Sequence, residues 1–395
     1  MSSLDDLVTR GHVVVCCGTG GVGKTTAAAV LALSAARRGR DAVVVTIDPA
    51  KRLADTLGLA DLGDSAHEIT RERWAVAEAP GGGRLSALML DTRATFDGLV
   101  RRYAQDEEQA ARILNNRFYR NIAGALSGTQ EYMAMEKLHE LHEDGGYDLI
   151  VVDTPPSRHA LDFLDAPQRL LRLLDNRIFR LLMMPTRAYV RVASAAVQRF
   201  LRTIGKVIGA EVLDDIVAFF RAFEGMEQGF RDRATRVAAL LSAPTTGFVL
   251  ITSPRRDAVD EAEYFAGRLR ASHLEVTALV VNRVHPDFGV EGPVDGLRAR
   301  ADDLRHADGD AATRLARRYE NLADYAALGQ RERHQLADVG TRIGATTVAY
   351  VASLAHDVVD FHALDAVAAQ LFDGPGASEA PSDVPSRSPD PPGDR

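Results

Sequence analysis

The chain has 395 residues, with 47 Lys and Arg against 55 Asp and Glu, a net charge of −8. That length suits one large α/β domain or two ordinary ones with a sizeable core, and the acidic balance argues against whole-surface attraction to nucleic acid or anionic membrane. No run of about 18 apolar residues occurs, so no spanning helix is expected, and the opening MSSLDDLVTRGHVVVCC lacks the charged and apolar regions of a signal peptide, which predicts a cytoplasmic protein.

The first element is the apolar run HVVVCC at 12–17, read as a buried strand. Its Cys16 and Cys17 are the only two cysteines. Neighbours on a strand point to opposite faces, so the pair is expected to be two small core hydrophobes rather than ligands of one metal. Gly18, Thr19, Gly20, Gly21, Val22, Gly23, Lys24 and Thr25 then fit G-x-x-x-x-G-K-[ST] at every fixed position, and Thr26 follows into an apolar helix. Strand, glycine loop and helix together are the context of a phosphate-binding loop. Its backbone N–H groups cradle phosphate oxygens, Lys24 reaches the β- and γ-phosphates, and Thr25 ligates Mg²⁺.

A second strand is expected at AVVVTI, 42–47, followed by TIDPAKRLADTLG. Asp48 stands at the strand end, Pro49 is expected to open a helix, and Asp55 lies about two helical turns beyond Asp48, so the two carboxylates are expected to share one face. One acid would organise Mg²⁺ and the other would orient the attacking water. A solvated helix face is the alternative reading. SALMLD at 86–91 reads as a third strand, and a helical segment runs from about 92 to 143. Within it, His139 and His142 in HELH lack the H-E-x-x-H spacing of a zinc helix and read as surface residues. DLIVVD at 148–153 is the next strand. Asp153, at its carboxyl end beside the phosphate loop, is placed to hold Mg²⁺. The following TPPS is a stiff loop suited to sensing the γ-phosphate.

A second helical segment, about 161–242, is too long for a simple crossover. Residues 166–206 carry nine Arg or Lys against the single acid Asp175, beside a stripe of leucines. They read as a lid with a solvated basic face, or as a surface for an apolar or anionic client. Strands follow at GFVLIT (247–252), VTALVVN (276–282) and TTVAYV (346–351). The Pro-, Ser- and Gly-rich stretch 373–395 is expected to be a disordered tail. Residues 1–372 are therefore expected to form a single domain. Its fold class is α/β, a doubly wound, mostly parallel P-loop NTPase sheet with an inserted α-helical subdomain at about 92–143 and 161–242. Lysine occurs only four times, at Lys24, Lys51, Lys137 and Lys206, and two of the four fall in the motifs above.

CCGTGGVGKTT, DPAKRLAD and DTPPSRHALDFL together resemble the deviant Walker A ATPases of the ArsA-like family, which includes arsenite-pump ATPases and the ATPases that target tail-anchored membrane proteins. The resemblance implies a dimeric ATPase with ATP as substrate and Mg²⁺ as cofactor. It makes 46–55 switch I with Asp55 activating water, 153–164 switch II, and Asn282 of VVNR the reader of adenine. YVASLAHDVVDFHAL would supply the last strand and an adenine-side loop, and the helical inserts would form a client-binding subdomain. Three departures qualify it. Thr19 replaces the signature lysine, the zinc-binding C-x-x-C is missing, and so are the arsenite-binding cysteines. The chain looks closest to a bacterial subgroup in which two unlike ArsA-like ATPases occur together. The implied partner is a second copy, or a lysine-bearing ArsA-like ATPase in a heterodimer. Alternatively Lys51 or Arg52 replaces the lysine in cis. The expected activity is Mg-dependent ATP hydrolysis that switches a helical site for an apolar helix or membrane-protein client. One alternative is a regulatory subunit with little hydrolysis of its own. A second is an arsenite or anion-transport subunit. A DNA-partition ATPase fits poorly with the acidic balance and the helical inserts, and no nucleic-acid partner is expected.

Overall fold

The computed structural model describes residues 3–48, 50–74, 82–122, 129–155, 210–223, 225–286, 293–307 and 309–372, together with residue 288 and six positions between 166 and 175. Pro49, most of switch II, nearly all of the basic 166–206 segment and the 373–395 tail lie outside the described residues.

Among the described residues eight strands form one sheet: β1 (Val13–Gly18), β2 (Ala42–Thr46), β3 (His67–Glu68), β4 (Leu85–Met89), β5 (Leu149–Asp153), β6 (Thr246–Thr252), β7 (Val276–Val284) and β8 (Thr347–Ala352). Their order is β3-β4-β2-β5-β1-β6-β7-β8. All pairs are parallel except β3 with β4. The seven apolar runs are the seven longer strands, and the two-residue edge strand β3 is an addition. From β1 the chain moves out through β2 to β4, returns as β5 between β2 and β1, and then crosses to β6. The direction of winding thus reverses at β1, and a crevice at the carboxyl ends of the strands is expected there. Register sets Cys16 opposite Asp153 and Gly18 opposite Ile251.

The strands are continuous apolar runs because both faces are covered. Val13, Val15, Cys17, Val43, Val45, Ile150 and Val152 belong to the core on one face, whereas Val14, Cys16, Val44 and Val151 belong to the core on the other. Cys16 and Cys17 therefore point apart, as strand alternation demands. Burial pushes both thiols up, Cys17 to about 12. The second face is closed by α1 (Leu4–Arg10), α2 (Lys24–Arg37) and the C-terminal helix Phe361–Phe372. The alanine-rich α2 is buried along nearly its whole length, since small side chains let it sit close to the sheet. The sequence reading missed α1. It is a seven-residue helix capped by Ser3, whose Oγ accepts from the Asp6 amide at 3.0 Å.

Among the described residues the helical segment expected over 92–143 holds four helices: Thr92–Tyr103, Glu107–Leu114, Arg117–Ile122 and Thr129–Glu143. Asp106 and Asn116 break the segment, because their side chains cap the next turn by accepting from the amides of Gln109 (2.7 Å) and Tyr119 (3.1 Å). With Ala210–Ala222 and Glu227–Leu241 these helices pack on the first face through Tyr119, Phe219, Phe223 and Phe230. His142 is exposed, but His139 is not the surface residue expected. It is 4% exposed, because its side of the 129–143 helix faces the 227–241 helix rather than water. Between β7 and β8 the helices Val294–Arg305 and Asp310–Leu336 pack against each other.

Candidate nucleotide site

The phosphate loop leaves β1 at Gly18, where an added Cβ would meet the Ile251 carbonyl oxygen at 2.1 Å. Gly23 has φ +96°, and a Cβ there would meet the Asn282 amide nitrogen at 2.2 Å. Only glycine meets both demands, a left-handed backbone and close approach of another chain segment. Lys24 and Thr25 open α2, so the loop's amides and the helix N-terminus converge on one point. Lys24 is 6% exposed and its Nζ donates to the Thr19 carbonyl at 2.7 Å. Burial lowers its pKa, an effect that Asp153 opposes.

Asp153 ends β5, and its Oδ2 accepts from Thr25 Oγ1 at 2.7 Å and from Thr46 Oγ1 at 3.0 Å. Its Oδ1 is buried with no hydrogen-bond partner among the described residues. Burial pushes its pKa up to about 6, against the bonds from Thr25 and Thr46 and the charge of Lys24. A buried carboxylate with one orphaned oxygen, beside a hydroxyl at a phosphate loop, is the donor set a hard divalent cation uses.

Switch I differs locally from the expectation. Helix α3 spans only Arg52–Thr56, so Asp48 lies before it and helical periodicity does not align Asp48 with Asp55. Asp48 instead caps the turn, with Oδ1 accepting from the Ala50 amide at 3.0 Å, a local bond that competes with helix. Both carboxylates nevertheless line the same cavity. Lys51 pairs with Asp61 at 3.4 Å, whereas Arg52 lines that cavity and lies 3.5 Å from Asp48.

The cavity holds about 600 Å³. Gly21, Gly23, Lys24, Thr25 and Thr26 form one wall, Asp48, Arg52 and Asp55 a second, and Asn282 with Ser353, Leu354, His356 and Asp357 the far end. Asn282 Nδ2 donates to the Val22 carbonyl at 2.8 Å, bracing the phosphate loop from β7. Thr46 is the residue that sequence reasoning missed. Its partnership with Asp153 arises from the β2–β5 register, which no local pattern announces.

The family model of the anion-transporting ATPases (ArsA ATPases) matches residues 11–304. The chain belongs to this family. It is an ATP-hydrolysing P-loop enzyme. Similar proteins include the ATPase GET3 of Malassezia globosa, 25% identical over 272 residues that cover 69% of this chain and 72% of that protein. The ATPase GET3 of Phaeosphaeria nodorum is 24% identical over 273 residues, 68% of this chain and 74% of its own. The ATPase get3 of Schizosaccharomyces japonicus is 29% identical over 157 residues, covering 40% of this chain and 44% of that protein. The match to the family ends before β8, yet Ser353, Leu354, His356 and Asp357 close the far end of the cavity of this ArsA-family ATPase. Among the described residues no helix is long and apolar enough to cross a membrane.

Proposed function

We propose that the chain is a Mg²⁺-dependent, dimeric, cytoplasmic ATPase that uses nucleotide state to switch a helical client-binding segment. The orphaned Oδ1 of Asp153, next to Thr25 and Lys24, carries the Mg²⁺-dependent part of this reading. Thr25, Asp48 and Asp153 would hold Mg²⁺. When bound there, the ion would supply positive charge that neutralises the phosphates. Lys24 exchanges the Thr19 carbonyl for phosphate oxygens, the amides from Gly18 to Thr26 cradle them, and Asp55 orients the attacking water. Asn282 and the 353–358 loop receive the base.

Thr19 provides no charge, and Arg52 is better placed than Lys51 to provide it in cis, because Lys51 is turned to Asp61. Arg52→Ala should lower kcat while Lys51→Ala leaves turnover unchanged; equal effects would sink this assignment. Buried, fully protonated thiols on opposite sheet faces count against arsenite as the ligand of Cys16 and Cys17.

The deciding experiment is ATP turnover of the chain alone, with Lys24→Ala and Asp55→Asn as controls. Turnover above both controls supports a self-sufficient enzyme. ATP binding with turnover at control level favours the second reading, which Thr19 motivates: a regulatory half needing a lysine-bearing ArsA-like partner. The client reading rests on the basic, leucine-rich 166–206 segment. Binding to anionic liposomes or an apolar helical peptide that ignores nucleotide and the Arg172→Glu/Arg180→Glu change would overturn it.

A further inference from the structure

A second cavity, of about 800 Å³, lies on the other side of the phosphate loop. Thr19, Gly20, Gly21 and Val22 form one wall, and Ser253, Pro254 and the N-terminus of the helix Arg256–Ala271 form the other. The β1–β6 register, with Gly18 beside Ile251, brings these two helix-opening loops together. Four arginines line the cavity: Arg255, Arg256, Arg283 and Arg331. Three acids accompany them, and two are already engaged. Asp257 takes Arg255 at 2.7 Å, and Glu332 takes the ring and the amide of His285 at 2.8 and 2.9 Å. Arg256, Arg283 and Arg331 make no ion pair among the described residues, leaving Glu261 alone against three guanidiniums.

One further observation points to a ligand, and a second places Arg283. Ser253 is 6% exposed, lines this cavity, and its hydroxyl makes no hydrogen bond among the described residues. The residue is nearly enclosed, and its oxygen is open to the cavity rather than sealed in the core. Arg283 has φ +61°, a left-handed backbone that a long L side chain adopts only at a cost, at the point where the β7–β8 register shifts. The bulge sets Arg283 at the rim of both cavities.

We propose that this cleft is a second phosphate-binding subsite, adjoining the nucleotide cavity at Gly21 and Arg283, in which Arg256, Arg283, Arg331, the Ser253 hydroxyl and the N-terminus of the 256–271 helix bind a phosphate group. The helix dipole and convergent guanidiniums favour a dianion there. The group arrives as free phosphate or on a nucleotide carried by a second copy of the chain.

Calorimetry on the full chain tests it. ADP is titrated first, and inorganic phosphate is then titrated into the ADP-saturated protein. Wild type should take up one further phosphate. The Arg256→Glu/Arg331→Glu variant should bind it at least tenfold more weakly, with ADP affinity and unfolding midpoint unchanged. Phosphate uptake absent from ADP-saturated wild type, or equal in the variant, overturns the proposal, whereas loss of ADP binding would strike only the nucleotide cavity. Arg283→Gly should raise the unfolding midpoint while weakening phosphate binding; a midpoint gain with unchanged phosphate affinity removes Arg283 from the subsite. Sedimentation with ATP separates the sources. Loss of an ATP-dependent dimer in the double variant identifies the second copy's nucleotide, and an unchanged dimer identifies free phosphate.

Discussion

Asn282 joins two parts of the site through one amide. Its Nδ2 holds the Val22 carbonyl, and its Oδ1 accepts from the Arg283 amide at 2.8 Å. Asn282→Ala removes the brace without touching Lys24 or Asp153. A lost neutral hydrogen bond is worth about 1 kcal/mol, so ATP affinity should fall roughly fivefold. Titration with ATP checks this, and an unchanged affinity would show that the loop holds its shape unaided. Gly23→Ala is the harsher change, since the new Cβ would overlap the same amide and the left-handed backbone disfavours it. It should abolish nucleotide binding. Gly18 to Thr26 and Asp153 were legible in the sequence, because a glycine loop followed by Lys-Thr and a strand-terminal acid are local patterns. Thr46 and Arg283 were not, because each acquires its neighbour through strand register.

The helices Thr129–Glu143 and Glu227–Leu241 are joined by charge rather than by an apolar seam alone. Arg233, 1% exposed, bonds Glu136, also 1% exposed, and reaches Glu143 at 2.9 Å. Arg236 meets Glu143 at 2.7 Å, and Tyr132 donates to Glu136. Removing one partner of a buried pair strands the other, so Arg233→Met should cost about 3–5 kcal/mol in urea denaturation. Glu136→Leu added to Arg233→Met should recover much of that loss. His139 sits in this network 3.4 Å from Glu143. Burial and the charges of Arg233 and Arg236 nevertheless hold its pKa below the ordinary 6.5. Its contribution is therefore present above pH 6.5 and is lost as pH falls, because the unfolded chain takes up a proton that the buried ring refuses. Denaturation midpoints followed from about pH 7 to pH 5 should decline in wild type and decline less in His139→Gln. The burial of His139 was hidden in the sequence, since HELH has no apolar periodicity to mark which side faces the partner helix.

Across the whole molecule, the sheet separates two cores, with the helical inserts on one face and α1, α2 and the C-terminal helix on the other. The nucleotide cavity lies at the strand ends where these layers meet, built from β1, β2, β5, β7 and the loop after β8. A nucleotide there bridges segments far apart in sequence. Nucleotide at about a hundredfold excess over its Kd should raise stability by about 2.7 kcal/mol. Lys24→Ala should show little of this gain, and a scan of unfolding midpoint against ADP concentration measures it. A gain equal to wild type in Lys24→Ala would mean that nucleotide binds elsewhere.

By itself the sequence determined the seven long strands, the α/β class, the phosphate loop and the carboxylates that attend it. Apolar runs, glycine spacing and strand-end acids are short-range signals that need no partner to be read. Only the tertiary structure decided which carboxylate oxygen is left without a partner among the described residues, that Asp48 and Asp55 line one cavity from a capped turn and a short helix rather than from one helical face, and that Arg52 rather than Lys51 reaches the cavity. It alone brought Ser253 and three arginines from distant elements against the back of the phosphate loop. Those outcomes depend on register and on the close packing of segments hundreds of residues apart, which local composition does not encode.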